Sequence, residues 1–114
     1  MTVHEYLRYI AAYPSLSRAL CEKLRIHPAA NVAAICVMHY IHTGNVCNAA
    51  ICTALGFSPA TIRAWLSKHG YLTRSGKAAN WHLTTTGTAR IIDLLPAIEH
   101  QVQKLHPREK HLPH

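Results

Sequence analysis

The chain has 114 residues, of which 49% are hydrophobic, and it carries 12 Lys and Arg against 5 Asp and Glu, a net charge of +7 with its ten histidines neutral. That length suits one domain, and that apolar content excludes a fully disordered chain and supplies a core without disulfides or a metal. The charge argues against cationic substrates and favours a polyanionic partner.

Three helices are predicted in the first third of the chain. Thr2 and Glu5 have the spacing of a capping box, and Pro14 is expected to end the helix that they begin. Ser15 is the predicted N-cap of a second helix, and Pro28 the predicted first residue of a third. The third helix is apolar on most sides, which is typical of the central helix of a bundle.

Two shorter helices are predicted in the middle of the chain. Asn45 is the expected N-cap of a fourth helix that ends at Gly56. Ser58 and Pro59 have the residue types of an N-cap and a first helical residue, so they predict a fifth helix that ends at Gly70.

In the last third of the chain the helical residue pattern is interrupted by a strand and turn pattern. Residues 71–84 predict a short β-hairpin, with a turn at Ser75-Gly76-Lys77. Helical spacing resumes over 86–105, where Pro96 is expected to kink or split the helix. Residues 106–114 hold two prolines and three histidines and predict a flexible tail.

The net charge belongs to the middle of the chain. No carboxylate occurs between Glu22 and Asp93, whereas seven bases do: Lys23, Arg25, Arg63, Lys68, Arg74, Lys77 and Arg90. Buried helices need few charges, which offers an alternative explanation for the missing acids. It does not explain why only bases appear where charge returns, so a polyanion-binding surface is favoured.

Several short motifs follow one another between Asn45 and Ile92. They are Ile51-Cys52-x-Ala54-Leu55-Gly56-x-Ser58-x-x-Thr61-Ile62, then Gly70-Tyr71-Leu72, a basic hairpin over 74–80, and Leu83-Thr84-x-x-Gly87. In this order they resemble the winged helix-turn-helix family of DNA-binding transcriptional regulators. The resemblance implies a mainly α fold in one domain, 1–105, with extra N-terminal helices, a helix-turn-helix at 45–70, a β-hairpin wing at 71–84 and a long C-terminal helix. It also implies that no residue is catalytic.

The fifth helix is the candidate reading element. At 100° per residue, Ile62, Trp65, Leu66 and His69 share one face, and small, hydroxyl or basic side chains occupy the other. Over 58–69 this second face is expected to enter the major groove, while the 74–80 wing contacts the backbone or the minor groove. The candidate DNA-binding residues are Ser58, Ala60, Thr61, Arg63, Ala64, Ser67, Lys68, Arg74 and Lys77. The alternative is a solvated helix face beside an ordinary basic turn.

The C-terminal helix carries an apolar stripe that extends well past the hairpin. The stripe either packs on the first two helices of its own chain or forms the interface of a homodimer, which would double the length of the DNA site. The dimer is favoured, with these residues in the interface: Tyr6, Tyr9, Ile10, Ile91, Leu94, Leu95, Ile98, Val102 and Leu105.

Catalytic and metal chemistry find little support in the sequence. Cys36, His39, His42 and Cys47 are conceivable metal ligands, but most of their surroundings are apolar, and reduced core cysteines are favoured. The five acids form no paired site, and no glycine-rich phosphate loop occurs. We therefore expect no enzyme, no metal and no cofactor.

The functional prediction is a DNA-binding transcriptional regulator, more specifically a repressor, that acts in the cytoplasm and comes from a bacterium or from a mobile element such as a phage, with no membrane segment. Two alternatives stay open. One is a DNA-binding accessory factor for replication, partition or recombination. The other is a winged-helix module whose basic face binds an acidic protein.

Overall fold

Six α-helices form in residues 1–73 and 80–105, the part of the chain that this computed structural model describes. The central helix, α3, packs against α1, α5 and α6, and α4 packs against α5. This confirms the mainly α class. The helices are α1 (Val3–Ala11), α2 (Pro14–Leu24), α3 (Val32–His42), α4 (Ala49–Ala54), α5 (Pro59–Lys68) and α6 (Thr85–Lys104).

The predicted capping box begins α1. The Thr2 hydroxyl accepts from Glu5 N at 3.1 Å, and the Glu5 carboxylate accepts from Thr2 N at 2.9 Å. The hydrogen bond from the Thr2 backbone, followed by that from its side chain, lowers the pKa of Glu5. Pro14 does not merely end α1: it is the first residue of α2, and Tyr13 rather than Ser15 holds the N-cap position.

The central helix begins later than the sequence suggests. Asn31 caps α3 by accepting from Ala34 N at 3.1 Å, whereas Pro28 lies in a turn closed by Ala30 N donating to His27 O at 2.9 Å. More than half of α3 is buried, and because the helix carries no charged Lys, Arg, Asp or Glu it needs neighbours on several sides. The buried residues are Val32, Ala34, Ile35, Cys36, Val37 and Met38.

The fourth helix is capped by Asn48 and not by Asn45. The Asn48 side chain accepts from Ile51 N at 3.0 Å. Asn45 lies just beyond the end of α3, and its side-chain amide donates back to the carbonyl of Tyr40 in that helix at 3.1 Å. Between them, Cys47 is fully buried and its carbonyl accepts from Trp81 N at 2.7 Å. This anchoring keeps residues 45–48 out of the helix.

The predicted β-hairpin wing is wrong for the described part of residues 71–84. One isolated antiparallel bridge joins Leu72 to Leu83, and no strand forms on either side of it in the described residues. Thr73 N donates to His82 O and Thr84 N donates to Tyr71 O, each at 2.9 Å, so Leu72 and Leu83 face each other as a non-hydrogen-bonded pair. In this register the Trp81 N–H points away from the opposite arm, and it donates to Cys47 O at 2.7 Å. The returning segment is therefore held on one side by its hydrogen bonds to residues 71–73 and on the other side by the loop before α4.

The start of α6 is fastened to the end of α5. Thr84 caps α6 by accepting from Gly87 N at 3.0 Å, and its hydroxyl also donates to Gly70 O at 2.6 Å. Gly87 allows a close approach, because a Cβ built there would lie 2.5 Å from the carbonyl oxygen of Tyr71. The Gly70-Tyr71 and Leu83-Thr84-x-x-Gly87 motifs thus meet in space.

The last helix runs unbroken from Thr85 to Lys104 with Pro96 inside it. Proline has no N–H to donate to the carbonyl four residues earlier, that of Ile92. Both residues are exposed, so water reaches that carbonyl and the helix continues without a split.

We expect Gly87→Ala to lower the free energy of unfolding by about 1–3 kcal/mol, because the new methyl group forces α6 away from Tyr71. The sign is diagnostic, since glycine-to-alanine changes in an unobstructed helix stabilise it by up to about 1 kcal/mol. Urea unfolding measures the change, and Thr86→Ala, at the exposed neighbouring position, is the control. Stabilisation by Gly87→Ala would contradict the close contact.

The α3 histidine His39 predicts a pH dependence of stability. Its Nδ1 atom is buried without a hydrogen-bond partner among the described residues, and burial, followed by repulsion from His4 and His42, lowers its pKa below 6.5. Below about pH 6.5, His39 therefore binds a proton more readily in the unfolded chain than in the folded chain.

We expect the free energy of unfolding to fall as the pH drops from about 7 through 6.5 toward the lower pKa of folded His39, and to be insensitive to this group above that range. His39→Gln should flatten the dependence. Urea unfolding of both proteins at several pH values measures it, with His100→Gln, at an exposed α6 position, as the control. An equal slope for wild type and His39→Gln would contradict the assignment.

Candidate nucleic-acid interface

The turn between α4 and α5 has a defined geometry. Gly56 adopts φ +92°, Phe57 N donates to Cys52 O at 3.1 Å, and Gly56 N donates to Thr53 O at 2.9 Å. This pair of hydrogen bonds is a Schellman motif, which favours glycine at its left-handed position. It ends α4 and fixes the direction in which the chain enters α5.

The beginning of α5 is also defined by its own residues. Ser58 is the N-cap, and Pro59 holds the first helical position, where its missing N–H leaves no gap in the hydrogen-bond pattern. The Thr61 hydroxyl donates to the Ser58 hydroxyl at 3.1 Å. Two of the three predicted DNA-binding hydroxyls therefore lie together at this end of the helix.

One face of α5 belongs to the core. Ile62 is 2% exposed and Leu66 is fully buried, within the same apolar cluster as α3. Trp65 is half-buried and its ring lies 4.3 Å, between centroids, from that of His69, which stacks in turn on Tyr71 at 5.5 Å. His69 is itself exposed, so the predicted apolar face of α5 ends in an aromatic edge.

The opposite face of α5 is exposed along its whole length. Every α5 residue that the sequence offers as a DNA contact lies there or at its N-cap: Ser58, Ala60, Thr61, Arg63, Ala64, Ser67 and Lys68. Within the described ranges no carboxylate forms a salt bridge with Arg63 or Lys68. The ion pair observed in those ranges lies on α6, where Arg90 Nη1 is 3.3 Å from Asp93 Oδ2. The face is a narrow, cationic surface of small side chains.

The two remaining candidate contacts, Arg74 and Lys77, lie outside the described residues. So does the tail over 106–114. Their roles stay predictions.

The candidate dimer residues divide into two groups. Tyr6, Ile10, Ile91, Leu94 and Ile98 are buried within a single chain, where α6 packs on α1, α2 and α3. Tyr9 and Leu105 are each 52% exposed, and Leu95 and Val102 are half-buried. The first group builds the core of the protomer, and the second is the part of the stripe that a partner could still cover.

Arg8 links two helices through a contact that no sequence pattern indicates. Its Nε donates to the Leu55 carbonyl at 2.9 Å, at the C-terminal end of α4. The bond ties α1 to the turn that directs α5. Because the partner is a backbone carbonyl 47 residues away, no side-chain pattern reveals it.

The four cysteines are buried and free of disulfides. Burial raises the pKa of the Cys36 thiol to about 12 and that of Cys47 to about 11, so both stay protonated near neutral pH. Protonated thiols are poor nucleophiles and poor metal ligands. The described residues contain no group of three or more His, Cys, Asp or Glu suited to a metal ion.

A cavity of about 190 Å³ lies on the inner side of α5, with Met38, Trp65, Tyr71, Arg90 and Leu94 among its lining residues. Its volume is similar to that of cavities that hold a single small ring, about 150 Å³. It separates the C-terminal end of α5 from close packing against α6.

The described helices include none long and apolar enough to cross a membrane. No protein-family model matches the sequence, and no curated protein matches it significantly.

The fold, in contrast, is similar to that of a solved structure, the transcriptional regulator Tm0710 from Thermotoga maritima. The superposition has a TM-score of 0.51 and a sequence identity of 21%, and it covers 89% of this chain and 75% of that chain. At this identity the likeness concerns the fold, and it includes most of the chain rather than the α4–α5 pair alone.

Proposed function

We propose that this protein is a transcriptional regulator that binds duplex DNA by placing the exposed face of α5 in the major groove. The observation that supports this most directly is the composition of that face, which combines small side chains, hydroxyls and two cations along one accessible helix. The similarity of the fold to a protein described as a transcriptional regulator points the same way.

The dimensions of a helix fit this role. An α-helix with its side chains is about 10–12 Å across and the major groove is about 12 Å wide, so only small residues let the helix backbone approach the base edges. Ala60 and Ala64 provide that space. Arg63 then donates two hydrogen bonds to a guanine, and Lys68 neutralises a phosphate.

Repression follows if the bound site overlaps a promoter, since the chain needs only to occupy it.

A homodimer suits this use because two α5 helices would read two half-sites one helical turn apart. Tyr9 and Leu105, both exposed, are the apolar residues through which we propose that two copies pair. Gel filtration with light scattering of wild type and Leu105→Asp tests the pairing, and a monomeric wild type would contradict it.

We expect Arg63→Ala to weaken binding to a selected DNA site by about 1–3 kcal/mol and to relax the base preference at one position. Lys68→Ala should weaken binding to all sequences alike and reduce the slope of log K against log salt by about 0.9. Fluorescence anisotropy over a salt series measures both. Arg18→Ala, at an exposed arginine of α2, is the matched control and should bind as wild type does.

Failure of wild type to bind any duplex at low salt would contradict the proposal. In that case the cationic face of α5 is better explained by an acidic protein partner. Binding with equal affinity to every sequence, and equal loss for Arg63→Ala on all of them, would instead favour an accessory factor that does not read bases.

A further inference from the structure

A groove runs beside α5, between this helix and the segment that leads into α3. One part, of about 500 Å³, is lined by Asn31 together with Ala60, Thr61, Ala64, Trp65 and Lys68 of α5. A second part, of about 340 Å³, continues past Trp65 and Lys68 to His27, Ala29, Ala30 and His69. Residues 27–31 therefore form a wall along one flank of the proposed DNA-reading helix.

This groove is shallow, open and largely lined by apolar atoms, and its charged and polar side chains are of types that attract an anion. Lys68 contributes a positive charge to both parts, and His27 and His69 line the second. None of the lining residues is a carboxylate, and both walls fall within the sequence 23–92, which has no acid at all.

Asn31 adds a hydrogen-bond donor to the wall. Its side-chain oxygen caps α3 by accepting from Ala34 N at 3.1 Å. The nitrogen of the same amide, which can only donate, is then the atom that remains for a ligand in the groove.

The position of the groove identifies the anion. When a helix about 10–12 Å across fills a major groove about 12 Å wide, the two phosphate backbones run along the flanks of that helix. Resting on the function proposed above, we propose that the groove between α5 and residues 27–31 holds the phosphate backbone of one DNA strand. Contacts of this kind fix the orientation of α5 without reading sequence themselves.

The wall formed by residues 27–31 could not be predicted from the sequence. His27 and Asn31 lie more than 30 residues from Lys68 and belong to no recognisable motif. They reach the groove because α3 packs against α5.

Ala29 allows a test that removes no existing side-chain contact, since it is exposed and lines the groove. Ala29→Lys, Ala29→Glu and Ala29→Gln are compared by anisotropy with one random-sequence duplex over a salt series. A charge about 4 Å from a phosphate in water changes affinity about fivefold. We expect lysine to tighten binding by about that factor and to steepen the salt slope by about 0.9, glutamate to weaken binding similarly, and glutamine to match wild type.

The same lysine and glutamate substitutions at Ala12, an exposed position that does not line the groove, control for net charge. Effects at Ala29 that exceed those at Ala12 support the proposal. Equal effects at both positions, or none at Ala29 while Arg63→Ala still weakens binding, would overturn it and leave the proposed function intact. Absence of DNA binding by wild type would overturn both.

Discussion

The structure depends on the burial of α3. A helix of 11 residues with six of them buried and none of them Lys, Arg, Asp or Glu is stable only when other helices cover it, and α1, α5 and α6 do so. For α5 this has a direct consequence. Ile62 and Leu66 are committed to the core, so the residues on the other side of the helix are committed to solvent. The exposed cationic face of α5 follows from the packing of α3.

Two local devices then fix how α5 is presented. At its N-terminal end, the Schellman turn at Gly56 and the Arg8 hydrogen bond to Leu55 hold the approach from α4. At its C-terminal end, Thr84 and the close contact of Gly87 with Tyr71 hold the departure into α6. A helix fastened at both ends retains its orientation when a ligand binds its free face, which is what recognition by a rigid element requires.

The sequence predicted most of the helices and the faces of α5 because those depend on local spacing and capping. It misassigned the N-caps of α2 and α4, which are Tyr13 and Asn48, and it placed the start of α3 too early, at Pro28. At α4 a tertiary contact opposes the earlier start, since Cys47 is buried and its carbonyl accepts from Trp81 N. In the described part of the predicted wing, pairing is limited to the single Leu72–Leu83 bridge. The Trp81 N–H donates on the other side to Cys47, more than 30 residues away, which is a contact that no local pattern predicts. Most of the apolar stripe of α6 is buried within the chain. The sequence could not predict this, because an apolar stripe looks the same whether it packs on a partner chain or on the chain's own first helices.

We propose that the free face of α5 meets DNA while the opposite face stays in the core. Amide chemical-shift mapping of ¹⁵N-labelled protein, titrated with a duplex at low salt, tests it most directly. We expect the largest shifts in α5, at Ala60, Arg63, Ala64 and Ser67, with little change in α2. Shifts concentrated on α2, or an α5 that does not respond to saturating DNA, would contradict it.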